Sequence, residues 1–139
     1  MNNQNESKPA SDAMEAKVTG IGGIFFYADN TQEAKDWYSK NLGLEFNAWG
    51  GCGFESRDLQ QPDRIHNLQW CTFKSADAYF APSQKPFMIN YRVQHIEALV
   101  EKLKANGVSI LDDIATYDYG KFVHIMDHEG NKIELWEPA

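Results

Sequence analysis

The stretch YGKFVHIMDHEGNKIELWEP (residues 119–138) sets two histidines and three glutamates around a Gly-Asn turn. Histidine and glutamate on neighbouring strands can do two kinds of chemistry. Each offers a lone pair that can sit about 2 Å from a divalent ion. Alternatively, the carboxylate raises the imidazole pKa and orients the ring for proton transfer. If the turn at residues 128–131 sets the usual hairpin register, His124 stands opposite Glu134, with Phe122 and Trp136 following on the same face. A slip of one residue would turn His124 to the other face.

Other residues of this kind sit on two earlier strands. In FMINYRV (87–93), alternation sends Met88, Asn90 and Arg92 to one face and Ile89, Tyr91 and Val93 to the other. A guanidinium pointing into a concavity needs a carboxylate, for which Glu134 is available, or an anionic ligand. The matching positions of the first strand are Phe25 and Tyr27, and a later strand adds Trp70 or its neighbours. Aromatic walls with a few polar groups describe a small-molecule site. Of the remaining histidines, His128 lies in the turn, His95 begins a helix, and His66 ends a polar loop that reaches towards the mouth of a pocket.

The elements that position these residues read as a repeat. KVTGIGGIFFYAD (17–29) is strand-like, and Asp29, Asn30 and Thr31 are cap formers. TQEAKDWYSKNLG then reads as a helix with Ala34, Trp37, Tyr38 and Leu42 on one stripe and Gly43 at its end. LEFNAW, GGCG and FES suggest a hairpin, residues 57–65 a polar loop, NLQWCTFKS a strand and APSQKP a linker. The second half follows suit: FMINYRV, a helix QHIEALVEKLKANG with Ile96, Leu99, Val100 and Leu103 on one face, then VSILDD, KFVHIMD and KIELWEP. Ile24 aligns with Ile89, Phe26 with Tyr91, and Gly43 with Gly107. The order strand, helix, strand, strand, strand occurs twice. It predicts an α+β fold of two βαβββ modules, residues 17–82 and 83–139. These form a curved mixed sheet around a pocket with the helices outside. Gly22 and Gly23 would let a ligand or another strand lie close to the sheet.

Composition narrows the partners. The 139 residues suit one domain, and residues 1–16 are polar enough to form a disordered tail. A net charge of -7 disfavours nucleic acid and anionic lipid. No apolar run approaches the roughly 20 residues that cross a bilayer. Two cysteines without a CxxC pattern, and no secretory signal, point to a cytoplasmic protein.

Three segments, GIFFYADNTQEAKDWYSKNLGLEF, FMINYRVQHIEALVEKLKANGV and FVHIMDHEGNKIELWEP, resemble the vicinal oxygen chelate superfamily. This superfamily includes glyoxalase I, bleomycin- and fosfomycin-resistance proteins and extradiol dioxygenases. The resemblance implies a glyoxalase/bleomycin-resistance fold and a homodimer. It also implies metal-ligand slots on the first strand of each module and near each module's end. Here those slots fall at Gly23 (or Gly22), Ala78, Met88 and Glu134, so Glu134 alone keeps a ligand. No metal or other cofactor is expected on this reading.

The expected function is therefore a glyoxalase-like domain that binds a small amphipathic or anionic molecule without a metal, as sequestering resistance proteins do. The expected ligand-binding residues are Phe25, Tyr27, Trp70, Met88, Asn90, Arg92, Phe122 and Trp136, with His124 and Glu134 as an acid–base pair. The alternative is a divalent-metal-dependent lyase, isomerase or dioxygenase with an atypical ligand set such as His66, His124 and Glu134. A scaffold with a vestigial pocket is the third reading.

Overall fold

The computed structural model describes residues 15–139. Its strands are β1 (Lys17–Ala28), β2 (Gly51–Arg57), β3 (Ile65–Lys74), β4 (Phe87–Gln94), β5 (Ala115–Tyr117), β6 (Gly120–Met126) and β7 (Lys132–Pro138). Among the described residues the helices are α1 (Thr31–Leu42) and α2 (Ile96–Ala105), with a 3-10 turn at Ser75–Asp77. The strands form one mixed sheet in the order β2-β3-β1-β4-β7-β6-β5. Among the described residues no helix is long and apolar enough to cross a membrane.

The repeat seen in the sequence becomes a local two-fold relation. β1 and β4 pair antiparallel at the centre of the sheet, and Ile24 faces Ile89 there. Ile24 and Ile89, equivalent in the repeat, are thus cross-strand partners and mark the axis, and Phe26 and Tyr91 pair with Phe87 and Ile21 on either side of it. Each half begins with a strand that passes into a helix. Asn30 caps α1 by accepting the Glu33 N–H at 2.9 Å, and Gly43 ends it at φ 74, where a side chain would be strained.

The two helices are seated differently. α2 buries Ile96, Leu99 and Val100 against Val93, Val123, Ile125 and Leu135, with Leu103 and Tyr91 at the margin. α1 buries no residue. Of its expected stripe, Tyr38 lies edge-on to Phe26 and Trp70, while Trp37 and Leu42 are exposed.

Several expected boundaries move. LEFNAW forms no strand, because Asn47 closes a tight turn. Its side chain accepts the N–H groups of Trp49 and Gly51, and Gly50 takes φ 90. Chain pairing resumes only at Gly51, so the first half has one strand fewer than the second. VSILDD is reduced to a bridge between Ile110 and Ile125, and the edge strand is β5. Residues 1–14 of the expected tail lie outside the described residues, whereas Ala16 packs against the α2 core. Cys52 and Cys71 are free thiols. They face Trp70 and Gly51 across the β2–β3 pair, so alternation points them to opposite sides of the sheet.

Candidate functional site

The face of the sheet away from the helices carries most of the expected site residues. Phe25 pairs with Met88, Asn90 with Glu134, and Arg92 with Trp136. The β6–β7 hairpin holds the expected register, His124 opposite Glu134 and Phe122 opposite Trp136. Its turn is fixed by Asp127, whose carboxylate accepts from the Asn131 side chain and from the backbone N–H groups of Asn131 and Glu129. The Asn131 bonds lead in holding that carboxyl at about 2. Trp70 is the exception. Its ring meets Phe26, Tyr38 and Phe46 beneath α1, so it belongs to the helix side, and its neighbour Cys71 takes the concave side. Strand parity settles this: Trp70 pairs with Ile24, one residue out of step with Phe25.

One end of the concave face is closed by the chain itself. The connection between the halves, in which residues 81–86 read as a linker and residues 76–80 as no element, drives Phe80 into the sheet until it is buried with Met88 and Phe25. Tyr27 stacks on Phe80 with centroids 4.2 Å apart, and its hydroxyl accepts the Phe80 N–H at 2.8 Å. Tyr79 stacks on Phe73 at 4.9 Å and receives Lys132 Nζ on its carbonyl at 2.8 Å. Phe25, Tyr27 and Met88 therefore contact this plug. Tyr79 and Phe80 were missed because a non-periodic segment gives no facing signal. The two adjacent aromatics were its only clue.

Glu134 lies under the same plug and is 6% exposed. Its Oε1 accepts from Asn90 Nδ2 at 2.7 Å, and its Oε2 from His124 Nε2 at 2.7 Å and from the Tyr79 hydroxyl at 3.0 Å. His124 Nδ1 lies 2.7 Å from Asp112 Oδ2. A ring with a carboxylate on each nitrogen is satisfied only as imidazolium, since both nitrogens must donate. Burial works against the charged ring, but the bonds to Glu134 and Asp112 outweigh it and its pKa rises. Burial likewise opposes the Glu134 carboxylate, and the His124, Asn90 and Tyr79 bonds outweigh it, so its pKa falls. Burial and the adjacent Glu134 charge push the Tyr79 hydroxyl far up.

These donors do not fit a metal ion. Asp112 and Glu134 lie on opposite sides of the His124 ring, so they cannot converge on one point. A methyl group on Gly22 would sit 2.3 Å from Asn90 Oδ1 and 2.8 Å from Trp136, and one on Gly23 2.7 Å from the Phe25 ring. The space a first-strand ligand needs is filled by side chains. Met88 is fully buried, and Ala78 ends the 3-10 turn at φ 51. His66 does not join His124 and Glu134. Among the described residues no group of three His, Cys, Asp or Glu side chains could hold an ion.

The open part of the concave side lies at the opposite end. β1 and β3 pair only from Gly23 and Gln69 onward, and their earlier residues line a cleft of about 880 Å³. Arg92, Trp136, Thr19, Asn67, His66 and Asp58 are among its walls. Arg92 lies against Gly20, where a methyl group would land on its guanidinium. Among the described residues its buried Nε has no hydrogen-bond partner. Burial lowers its pKa, and the charge of Asp58 partly restores it. Glu134 is not its partner. Trp136 donates Nε1–H to the Tyr119 carbonyl at 3.0 Å and stacks on Phe122 at 6.0 Å. His66 Nε2 lies 2.9 Å from Asp58 Oδ2. His95 caps α2 at φ 56 and also borders the cleft, while His128 is solvent-exposed in its turn.

Comparison with known proteins bears on the fold and family. The chain is 25% identical over 120 residues to the uncharacterized protein YetH of Bacillus subtilis (strain 168), covering 86% of this chain and 99% of that one. Its structure resembles that of methylmalonyl-CoA epimerase from Mycobacterium tuberculosis (TM-score 0.57, 20% identity, covering 88% of this chain and 89% of that one). It also resembles a glyoxalase/bleomycin resistance protein/dioxygenase superfamily member from Vibrio splendidus 12B01 (TM-score 0.52, 14% identity, covering 88% of this chain and 99% of that one). At these identities the likeness concerns the fold. The family model Glyoxalase/Bleomycin resistance protein/Dioxygenase superfamily matches residues 20–135, most of the chain. With its two-fold repeat and curved seven-stranded sheet, the chain belongs to the glyoxalase/bleomycin resistance protein/dioxygenase superfamily.

Proposed function

We propose that this chain is a metal-independent binding domain for a small anionic molecule bearing an apolar ring. The ligand occupies the cleft, its anionic group meets Arg92, and its ring lies against Trp136. The observation that carries this reading is the buried Nε of Arg92, unpartnered among the described residues, in the wall of that cleft. A guanidinium fixed by a strand, with Asp58 acting on it through its charge and no described carboxylate in an ion pair with it, is a ready donor site for a carboxylate, sulfonate or phosphate, since its fork matches those anions. Arg64 lines the same cleft and adds positive potential to an otherwise acidic molecule. Glu134, whose oxygens are committed to Asn90, His124 and Tyr79, supports the absence of a metal from the proposal. The expected homodimer accompanies this reading on family grounds, and the expected cytoplasmic setting on the two free cysteines.

The test is a fluorescence titration with 8-anilinonaphthalene-1-sulfonate, a sulfonate carrying aromatic rings. The folded protein binds it saturably at one site, and Arg92→Met weakens binding about tenfold or more, matching the loss of roughly 1.5–3 kcal/mol for a charged hydrogen bond. Equal affinity in the two proteins, with the variant's unfolding midpoint unchanged, would refute the reading.

A further inference from the structure

We propose that His66, held by Asp58, is a proton acceptor for a molecule bound at Arg92, which makes the cleft an acid–base centre as well as a binding site. The inference rests on the anion-binding reading above and adds a chemical step to it.

The geometry distinguishes His66 from the other histidines. His124 has a carboxylate on each ring nitrogen and keeps no lone pair to offer. His66 has one, on Nε2 at 2.9 Å. That carboxylate, Asp58, also accepts the backbone N–H groups of Gln60 and Gln61 at 2.8 and 2.9 Å. The His66 bond, followed by these two, holds the Asp58 carboxyl at about 2. A carboxylate so firmly ionised only accepts, so Nε2 carries the hydrogen and Nδ1 of the neutral ring carries the lone pair. Among the described residues none hydrogen-bonds Nδ1. The side chain is 15% exposed, and both it and Arg92 line the cleft. An aspartate that fixes the tautomer while the other nitrogen faces a ligand is the arrangement general bases use.

The step is a simple transfer. Nδ1 takes a hydrogen as a proton from the ligand, the bonding pair stays on the ligand atom, and the new imidazolium is stabilised by Asp58. Reversal returns the proton. No redox partner is required. The ligand class is an acid with a carboxylate, sulfonate or phosphate for Arg92 and a second, weakly acidic hydrogen, on a hydroxyl or beside a carbonyl.

The experiment uses the whole protein and diethyl pyrocarbonate, which modifies an imidazole nitrogen that has a lone pair. Peptide mass mapping should show His66 labelled and His124 protected. 8-Anilinonaphthalene-1-sulfonate at about ten times its dissociation constant should slow His66 labelling about tenfold by mass action, leaving exposed His128 as an unaffected control. Long-range proton–nitrogen spectra should show hydrogen on Nε2 of His66 in the wild type and a mixture of tautomers in Asp58→Ala. Hydrogen on Nδ1, or a His66 that does not label, would overturn the proposal. So would labelling that the sulfonate does not slow while its binding still depends on Arg92, and the binding reading would then stand. If binding does not depend on Arg92, both fall.

Discussion

Glu134→Ala lowers the stability of the domain by about 3–5 kcal/mol, the usual cost of removing one partner from a buried ion pair. The side chain is 7% exposed and its partner His124 12%, so solvent does little to relieve the orphaned charge. The change leaves the imidazolium with the half-exposed Asp112 alone and strips Asn90 Nδ2 and the Tyr79 hydroxyl of their acceptor. Urea unfolding monitored by circular dichroism measures the loss. The pH dependence has a definite sign. Folding raises the His124 pKa above 6.5, so its contribution is full below 6.5 and is lost as pH rises through the folded value. Folding lowers the Glu134 pKa below 4.5, so its contribution is full above 4.5 and is lost as pH falls through the folded value. The network therefore stabilises most between 4.5 and 6.5. In Glu134→Ala the alkaline decline of that window should flatten, and an unchanged profile would show that the pair carries no stability.

Phe80→Ala costs about 3–5 kcal/mol by opening a cavity where Phe25, Tyr27, Phe73 and Met88 now meet. The ring is fully buried, and its backbone N–H is held by Tyr27, so the surrounding sheet has little freedom to collapse into the space. Phe80→Leu should recover about half of the loss because it refills part of the volume. A fall in unfolding midpoint for Phe80→Ala no larger than that of a surface substitution would mean that the connection between the halves does not seat as a plug.

Much of the fold was legible because two signals agreed. The α2 stripe and the period-two alternation of FMINYRV name their own faces, and the Gly130 turn fixes the β6–β7 register that sets His124 opposite Glu134. The same logic could not place Trp70. β3 starts at Ile65 inside what reads as a polar loop, and without a marked turn its parity is undetermined. The cleft was half legible. Arg92 and Trp136 follow from alternation. The approach of Asp58 to His66 depends on β2 and β3 pairing Ser56 with His66, a hairpin register spanning a seven-residue loop, 58–64, that no Asn-Gly turn announces. Glu134 was legible as the partner of His124, but the further bonds from Tyr79 to Glu134 and from His124 to Asp112 were not, since Tyr79 and Asp112 come from segments with no periodicity.

The most direct measurement is a crystal structure of the protein soaked with 8-anilinonaphthalene-1-sulfonate. The sulfonate oxygens should lie about 2.7–3.2 Å from the Arg92 guanidinium, with the rings beside Trp136 and the Glu134 contacts undisturbed. A probe seated instead at Glu134 with the Tyr79–Phe80 segment displaced, or a cation coordinated by the Glu134 carboxylate, would contradict the proposed function.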